Sequence, residues 1–188
     1  VSLKTRESLK LSLNKYIENK TEEEALNFLL HFVQKSFAYQ TDDVQFGTEK
    51  FYFPEEIFVY PYSDCDDRVS LFSYLVRDLL NLDVIGVEYP GHIAAAVKTS
   101  QKFLGNYIIY NNQRYIIADP TYIGAPIGMS MPQFRSVSPT VVDLLNLYYA
   151  ENQSKSILDG LISKGVISNK VNWIFDENSN VIVCGYFE

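Results

Sequence analysis

The chain has 188 residues, of which 47% are hydrophobic and 21% charged, a composition typical of a globular domain and unlike that of a disordered segment. Its formal net charge is −7, and it lacks the basic stripe with which proteins neutralise nucleic-acid phosphates. No apolar run reaches the roughly 20 residues that a membrane-spanning helix needs. We therefore expect a single domain over residues 1–188, with no nucleic-acid partner and no membrane-spanning segment.

The two cysteines, Cys65 and Cys184, are too few for a disulfide-rich scaffold or a four-cysteine zinc site. One bridge between them stays open, although their different surroundings favour separate roles. The sequence contains no P-loop, no dinucleotide-binding glycine pattern and no Gly-x-Ser-x-Gly motif. It therefore predicts neither a cofactor nor a resident metal.

Helices are predicted before the first cysteine. Residues 3–20 form one, and a second begins near Thr21, where Thr21 and Glu24 match a capping box, and runs to about Tyr39. Residues 41–62 predict an irregular loop rich in aromatic residues. These aromatic side chains either cover the core or line a cleft that grips a peptide.

The next helix begins around Cys65, because Ser63 or Asp64 can cap it and Asp66 and Asp67 fall in its first turn. Its apolar stripe is wide, which predicts a mostly buried helix. The unpaired backbone N–H groups of a helix N-terminus stabilise a thiolate, whereas three neighbouring aspartates oppose it. The cysteine is therefore either a nucleophile or a small buried apolar residue.

A sheet is predicted after this helix, with Asn111-Asn112 as the turn of a hairpin. Helices first and an antiparallel sheet afterwards indicate an α+β fold. The predicted elements are strands at 84–89, 92–97, 107–110 and 114–119, a loop at 120–133, helices at 141–150 and 155–164, and a final hairpin from strands at 171–176 and 181–187.

His92 opens one predicted strand and Asp119 ends another. Alternation places His92 on one face with Ala94 and Ala96, whose small size leaves room beside the imidazole. Pro120 stops the other strand at Asp119, whose carboxylate could accept the second imidazole N–H. Singly, each residue is accounted for by an ordinary structural role. Together with the helix-borne cysteine they supply a nucleophile, a base and an orienting group.

Three segments resemble the motifs of transglutaminase-like proteins, and they follow one another in the family's order. The stretch 63–68, Ser-Asp-Cys-Asp-Asp-Arg, resembles the nucleophile segment. The stretch 91–97 resembles the family's Gly-His strand, and 117–121 resembles its Asp-Pro-Thr segment. The resemblance covers a core of about residues 21–135 and does not extend to 136–188. It implies a papain-like core in which the cysteine helix packs on an antiparallel sheet.

The resemblance also implies catalytic roles for Cys65, His92 and Asp119. The expected reaction is acyl transfer at a peptide or glutamine carboxamide of a protein or peptide substrate, through a thioester, with hydrolysis favoured over cross-linking. The resemblance alone suggests a bacterial periplasm or cell-envelope setting, and the oligomeric state stays open. The backbone N–H of Cys65 is the natural oxyanion donor. The second oxyanion or substrate-binding group is left open among Tyr60, Tyr62 and Gln34.

Two other interpretations stay open. Asp64, Asp66 and Asp67 suggest calcium, but the EF-hand template fails because Arg68 and Leu75 fall where calcium ligands are needed. An irregular calcium site stays open, with helix capping and surface charge favoured. The other alternative is a non-catalytic scaffold or binding module within a larger protein, in which the triad is kept but idle.

Overall fold

A computed structural model describes residues 1–144 and, further along, the backbone of strands 172–175 and 181–185. Within these residues the fold is α+β, as predicted, with helices packed on an antiparallel five-stranded sheet. None of the described helices is long and apolar enough to cross a membrane. The helices are α1 (Leu3–Ile17), α2 (Glu22–Ser36), α3 (Asp42–Gln45) and α4 (Cys65–Leu80), with 3-10 turns at Glu56–Phe58 and Pro132–Phe134.

The strands of the main sheet lie in the order β5-β6-β4-β3-β7, and all neighbours are antiparallel. β1 and β2 form a separate parallel pair. β8 and β9 pair antiparallel, which confirms the predicted final hairpin. The strands are β1 (Ala38–Tyr39), β2 (Tyr62–Ser63), β3 (Val84–Tyr89), β4 (His92–Lys98), β5 (Tyr107–Tyr110), β6 (Gln113–Ala118), β7 (Thr140–Val142), β8 (Asn172–Phe175) and β9 (Val181–Gly185).

Helix α2 begins where its capping box predicts. The Thr21 hydroxyl accepts the N–H of Glu24 at 3.3 Å, and the Glu24 carboxylate accepts the N–H of Thr21 at 2.9 Å. The helix ends at Ser36, short of the predicted end near Tyr39, because Phe37 is extended and the chain continues into β1. The pairing of β1 with β2 therefore holds the end of α2 beside the residues that precede Cys65.

The stretch 41–62, predicted as an irregular loop, includes α3, a 3-10 turn and the start of β2. Two buried carboxylates hold it in place. Asp42 Oδ2 accepts the N–H of Lys50 at 2.7 Å, and Asp67 Oδ1 accepts the N–H of Tyr52 at 3.1 Å. The loop is therefore tied to the first turn of α4.

The main sheet buries a separate apolar cluster on each face. Ala95 and Val97 belong to the cluster that packs on α2 and α4, whereas Ala94 and Ala96 belong to the opposite cluster, which confirms the predicted alternation of β4. Each fully buried aliphatic or Phe side chain contributes about 1.5–3 kcal/mol. Helix α4 supplies several fully buried side chains to the first cluster: Leu71, Phe72, Leu75 and Val76.

The hairpin of β5 and β6 is confirmed, because Asn111 and Asn112 have φ values of 48° and 58°, which a two-residue turn of this kind requires. The helix predicted for 141–150 is wrong at its start. Thr140–Val142 form β7, since a run of β-branched residues favours a strand. The rest of that helix, and the one predicted for 155–164, lie outside the described residues.

Candidate active site

The structure brings Cys65, His92 and Asp119 together. His92 begins β4 and Asp119 follows the end of β6, and these neighbouring antiparallel strands place both residues at the same end of the sheet. Cys65 is the first residue of α4. His92 Nε2 lies 2.9 Å from Asp119 Oδ2, and the thiol of Cys65 lies near enough to the same imidazole to raise its pKa. The three predicted residues therefore form one connected group.

The surroundings of His92 favour the protonated imidazole. Its burial lowers the pKa, but the bond to Asp119 and the contact with Cys65 outweigh this and raise the pKa of His92 from 6.5 to about 9. The two side chains are only 8% and 3% exposed, so water screens the pair little. Because Asp119 occupies Nε2, the other ring nitrogen, Nδ1, is left for the thiol.

The carboxylate of Asp119 is fixed by the loop that follows it. Its Oδ1 accepts the N–H of Thr121 at 2.9 Å and that of Tyr122 at 3.2 Å. Its Oδ2 is thereby aimed at His92. The sequence left a turn-forming role and an orienting role as alternatives for this residue, and the structure shows that its two oxygens perform both.

Gln34 braces the same loop from α2. Its Nε2 donates to the carbonyls of Asp119 and Ala125, both at 3.0 Å, and its Oε1 accepts the N–H of Gly124 at 3.0 Å. Both amide hydrogens are therefore in use, and none is left for an oxyanion. In this geometry Gln34 positions the loop that follows Asp119 and does not serve the predicted oxyanion role.

The two predicted tyrosines have different surroundings. Tyr60 stacks on Tyr52 at 4.8 Å and meets Phe46 edge-on at 5.4 Å, so it belongs to an aromatic cluster that covers the core. Tyr62, in β2, is 40% exposed, so its side chain is accessible to solvent. The oxyanion role of either tyrosine stays a prediction.

Three aspartates surround Cys65, and burial weakens the charge of two of them. Asp67 Oδ2 accepts the N–H of Asp64 at 3.1 Å, while burial raises the pKa of Asp67 to about 7. Burial and the adjacent Asp64 also raise the pKa of Asp66 well above its usual value. Near neutral pH these groups carry less than full negative charge, so they oppose a thiolate less than the sequence indicates.

A buried cation lies one turn along the helix from Cys65. Arg68 is fully buried; its Nε donates to Ser63 Oγ at 3.2 Å, and its Nη2 donates to the carbonyl of Phe37 at 2.7 Å. Its guanidinium lies 5.3 Å from the ring centre of Tyr39 and within electrostatic reach of the site's carboxylates. Sequence reasoning missed this residue, although its spacing from Cys65 puts both on one helix face.

Phe134 covers the imidazole. Its ring lies parallel to that of His92, with centroids 5.2 Å apart, and it also stacks on Tyr89 at 4.7 Å. Sequence reasoning missed this residue as well. It ends a 3-10 turn far along the chain from His92, and no periodicity marks such a contact.

No protein-family model matches this sequence, and no curated protein matches it. The chemistry open to the site therefore follows from its own atoms. Cys65 is a free, partly buried thiol at a helix N-terminus, beside a protonated imidazole that a carboxylate orients. Such a group can attack an electrophilic carbon and transfer a proton to the leaving group.

Carboxylates crowd the start of α4, but not as the trio that the sequence offered for calcium. Asp67 instead binds the backbone N–H groups of Tyr52 and Asp64. Among the described residues, two other groups bring possible ligand atoms within 4.8 Å of one another: Asp64 with Cys65 and Asp66, and Asp64 with Asp42 and Glu49.

Proposed function

We propose that this protein is a transglutaminase-like cysteine enzyme that transfers or hydrolyses acyl groups at a peptide or glutamine carboxamide. The observation that carries the proposal is the 2.9 Å contact between His92 Nε2 and Asp119 Oδ2, beside the thiol of Cys65, which also raises the pKa of the imidazole. The packing of α4 on one face of the antiparallel sheet is what a papain-like core requires.

In the first half of the reaction, Sγ of Cys65 forms a bond to the carbonyl carbon. The backbone N–H of Cys65, at the start of α4, is available to the developing oxyanion. The C–N bond then breaks, and the His92 imidazolium gives its proton to the departing nitrogen. The acyl group is left as a thioester on Cys65.

In the second half, water attacks the thioester and His92 takes up its proton. The C–S bond breaks, the acid leaves, and the thiolate–imidazolium pair is restored. An amine in place of water would give an amide and therefore a cross-link. Hydrolysis is the favoured outcome, because Cys65 is only partly buried and water can reach the thioester.

The proposal is tested by the rate at which iodoacetamide alkylates Cys65 as a function of pH, followed by mass spectrometry. A thiolate–imidazolium pair should react fast well below the free-thiol pKa of about 8.5. His92→Ala should remove this reactivity at acidic pH and leave the rate of an ordinary thiol. Slow labelling that is indifferent to His92 would instead indicate the non-catalytic scaffold.

A second measurement separates the reactions that this chemistry permits. Casein is incubated with the enzyme and a fluorescent primary amine. New N-termini indicate proteolysis, released ammonia without amine incorporation indicates deamidation, and fluorescent casein indicates transglutamination. Cys65→Ala is the control and should show none of these products.

A further inference from the structure

A corner beside Cys65 holds three carboxylates from three separate segments. Asp42 starts α3, Glu49 lies in the loop that follows, and Asp64 immediately precedes the nucleophile. One carboxylate oxygen from each lies within 4.8 Å of the others, and an oxygen of Asp64 is equally close to Sγ of Cys65. The corner is therefore separated from the thiol by a single side chain.

The described residues place no ion pair at this corner, although the buried Arg68 lies within electrostatic reach of Asp64. Within the part of the chain that the structure describes, no Lys or Arg forms an ion pair with Asp42, Glu49 or Asp64. Asp64 is only 7% exposed, yet its Oδ1 is buried without a hydrogen-bond partner. Burial and the neighbouring Asp42 and Asp64 raise the pKa of Glu49. A buried carboxylate oxygen without a partner is costly, and an incoming cation would relieve that cost.

Two exposed phenylalanines follow Glu49 closely along the chain. The backbone N–H groups of Lys50 and Tyr52 donate inward to the carboxylates of Asp42 and Asp67, and the residues that alternate with them are exposed. Phe51 and Phe53 are accordingly 75% and 68% exposed. Glu49, two residues before Phe51, is exposed as well.

We propose that this corner is a specificity subsite that takes the Lys or Arg side chain of a peptide substrate. The inference rests on the proposed function and names the substrate class of the same site. An extended peptide advances about 3.3 Å per residue, so a basic residue two or three positions from the attacked carbonyl could place its charge among the carboxylates.

A side chain fits this surface better than a bare ion, because Lys and Arg lay their apolar stems on aromatic rings while the charge finds an anion. The neighbouring loop shows the same combination within the protein. The ammonium of Lys50 lies 4.3 Å from the ring centre of Tyr52 and 4.4 Å from that of Tyr60, and it pairs with Glu56 at 3.3 Å.

The test uses acetylated tripeptide chloromethyl ketones, whose carbon is attacked by Sγ of Cys65 with loss of chloride. Lysine, norleucine or glutamate is placed in turn at the first or second position, with alanine elsewhere, and the second-order labelling rate of Cys65 is measured in a chelator. Lysine should react about tenfold faster than norleucine at one position, which corresponds to about 1.4 kcal/mol. Glutamate should be the slowest.

Glu49→Gln should bring the lysine-to-norleucine rate ratio down several-fold towards one. Glu7→Gln, which removes the same charge from an exposed residue of α1, should leave the ratio unchanged. The subsite would be overturned if the lysine-to-norleucine rate ratio were the same in Glu49→Gln as in the wild type. It would also be overturned if neither position showed a preference for lysine.

Three further outcomes distinguish a side-chain subsite from a metal site and from an unreactive thiol. If millimolar calcium abolishes the lysine preference, the three carboxylates bind a metal ion, and the proposal that they bind a substrate side chain is overturned. Fast iodoacetamide labelling with no lysine preference removes the subsite alone. Slow iodoacetamide labelling that is indifferent to His92 removes the proposed function and the subsite with it.

Discussion

The two ends of helix α4 differ in whether their charged side chains form ion pairs. Near the C-terminal end, Asp78 pairs with two cations of α1, Arg6 at 2.8 Å and Lys10 at 3.6 Å. At the N-terminal end, no ion pair within the described residues reaches the aspartates beside Cys65, and the buried Arg68 bonds a hydroxyl and a carbonyl instead. One end ties two helices together with ion pairs, whereas at the other end the buried charged groups of the described residues make hydrogen bonds but no ion pair.

The ion pairs at the Asp78 end of α4 therefore serve stability, whereas the charges at the Cys65 end bear on the reactivity of the thiol. Paired charges at a surface contribute little, about 1 kcal/mol or less. Buried charges without a direct partner cost stability, and proteins keep such arrangements mainly at functional sites. Matched substitutions at the two ends should therefore have different signatures: stability alone at the Asp78 end, and stability with thiol reactivity at the Cys65 end.

The largest effect is expected from Arg68→Met compared with Arg77→Met. Removing the buried Arg68 should cost about 3 kcal/mol of unfolding free energy in urea, because the nearby carboxylates lose their counter-charge. It should also slow the labelling of Cys65 at mildly acidic pH. Arg77, whose Nη2 donates to the carbonyl of Val84, should cost about 1 kcal/mol and leave labelling unchanged. Equal loss of reactivity in both variants would break the comparison.

A smaller effect is expected from Asp119→Asn compared with Asp78→Asn. The amide can still accept the N–H groups of Thr121 and Tyr122, but it cannot stabilise the imidazolium of His92. Iodoacetamide labelling of Cys65 at mildly acidic pH should slow by roughly tenfold to a hundredfold, equivalent to about 1.4–2.7 kcal/mol. Asp78→Asn should lower the melting temperature and leave labelling intact. Normal labelling in Asp119→Asn would remove Asp119 from the triad.

The smallest effect concerns pH. Because the folded protein raises the pKa of His92 from 6.5 to about 9, this group stabilises the fold fully below pH 6.5, and its contribution is lost as pH rises through about 9. For each pH unit within this window, the unfolding free energy of His92→Ala should fall by about 1 kcal/mol less than that of the wild type. Asp78→Asn should keep the wild-type slope. Parallel slopes in all three proteins would contradict the raised pKa.

Local signals in the sequence predicted most of the sheet and the start of the cysteine helix. The capping box at Thr21, the acidic first turn after Asp64 and the alternation of β4 each depend on neighbouring residues only. The convergence of His92 and Asp119 was also predictable, because one begins a strand and the other ends its antiparallel neighbour.

The parts that were missed depend on contacts between distant residues. Nothing in the residues around Gln34 indicates that its amide bonds the loop after β6, and nothing around Phe134 indicates that its ring covers His92. The early end of α2 has the same cause, since pairing with β2 overrides a continuing helical pattern. The strand Thr140–Val142 was missed because three residues are too few to establish a period.

The spread of the triad over α4, β4 and β6 has a consequence for folding. His92 and Asp119 meet only after β4 and β6 have paired, and Gln34 joins them only after α2 has docked. If the pair activates Cys65 as proposed, a chain that has formed its helices without its sheet carries an ordinary thiol. A brief pulse of iodoacetamide at acidic pH during refolding would then mark completed molecules alone, and the time course of labelling would report when the sheet closes.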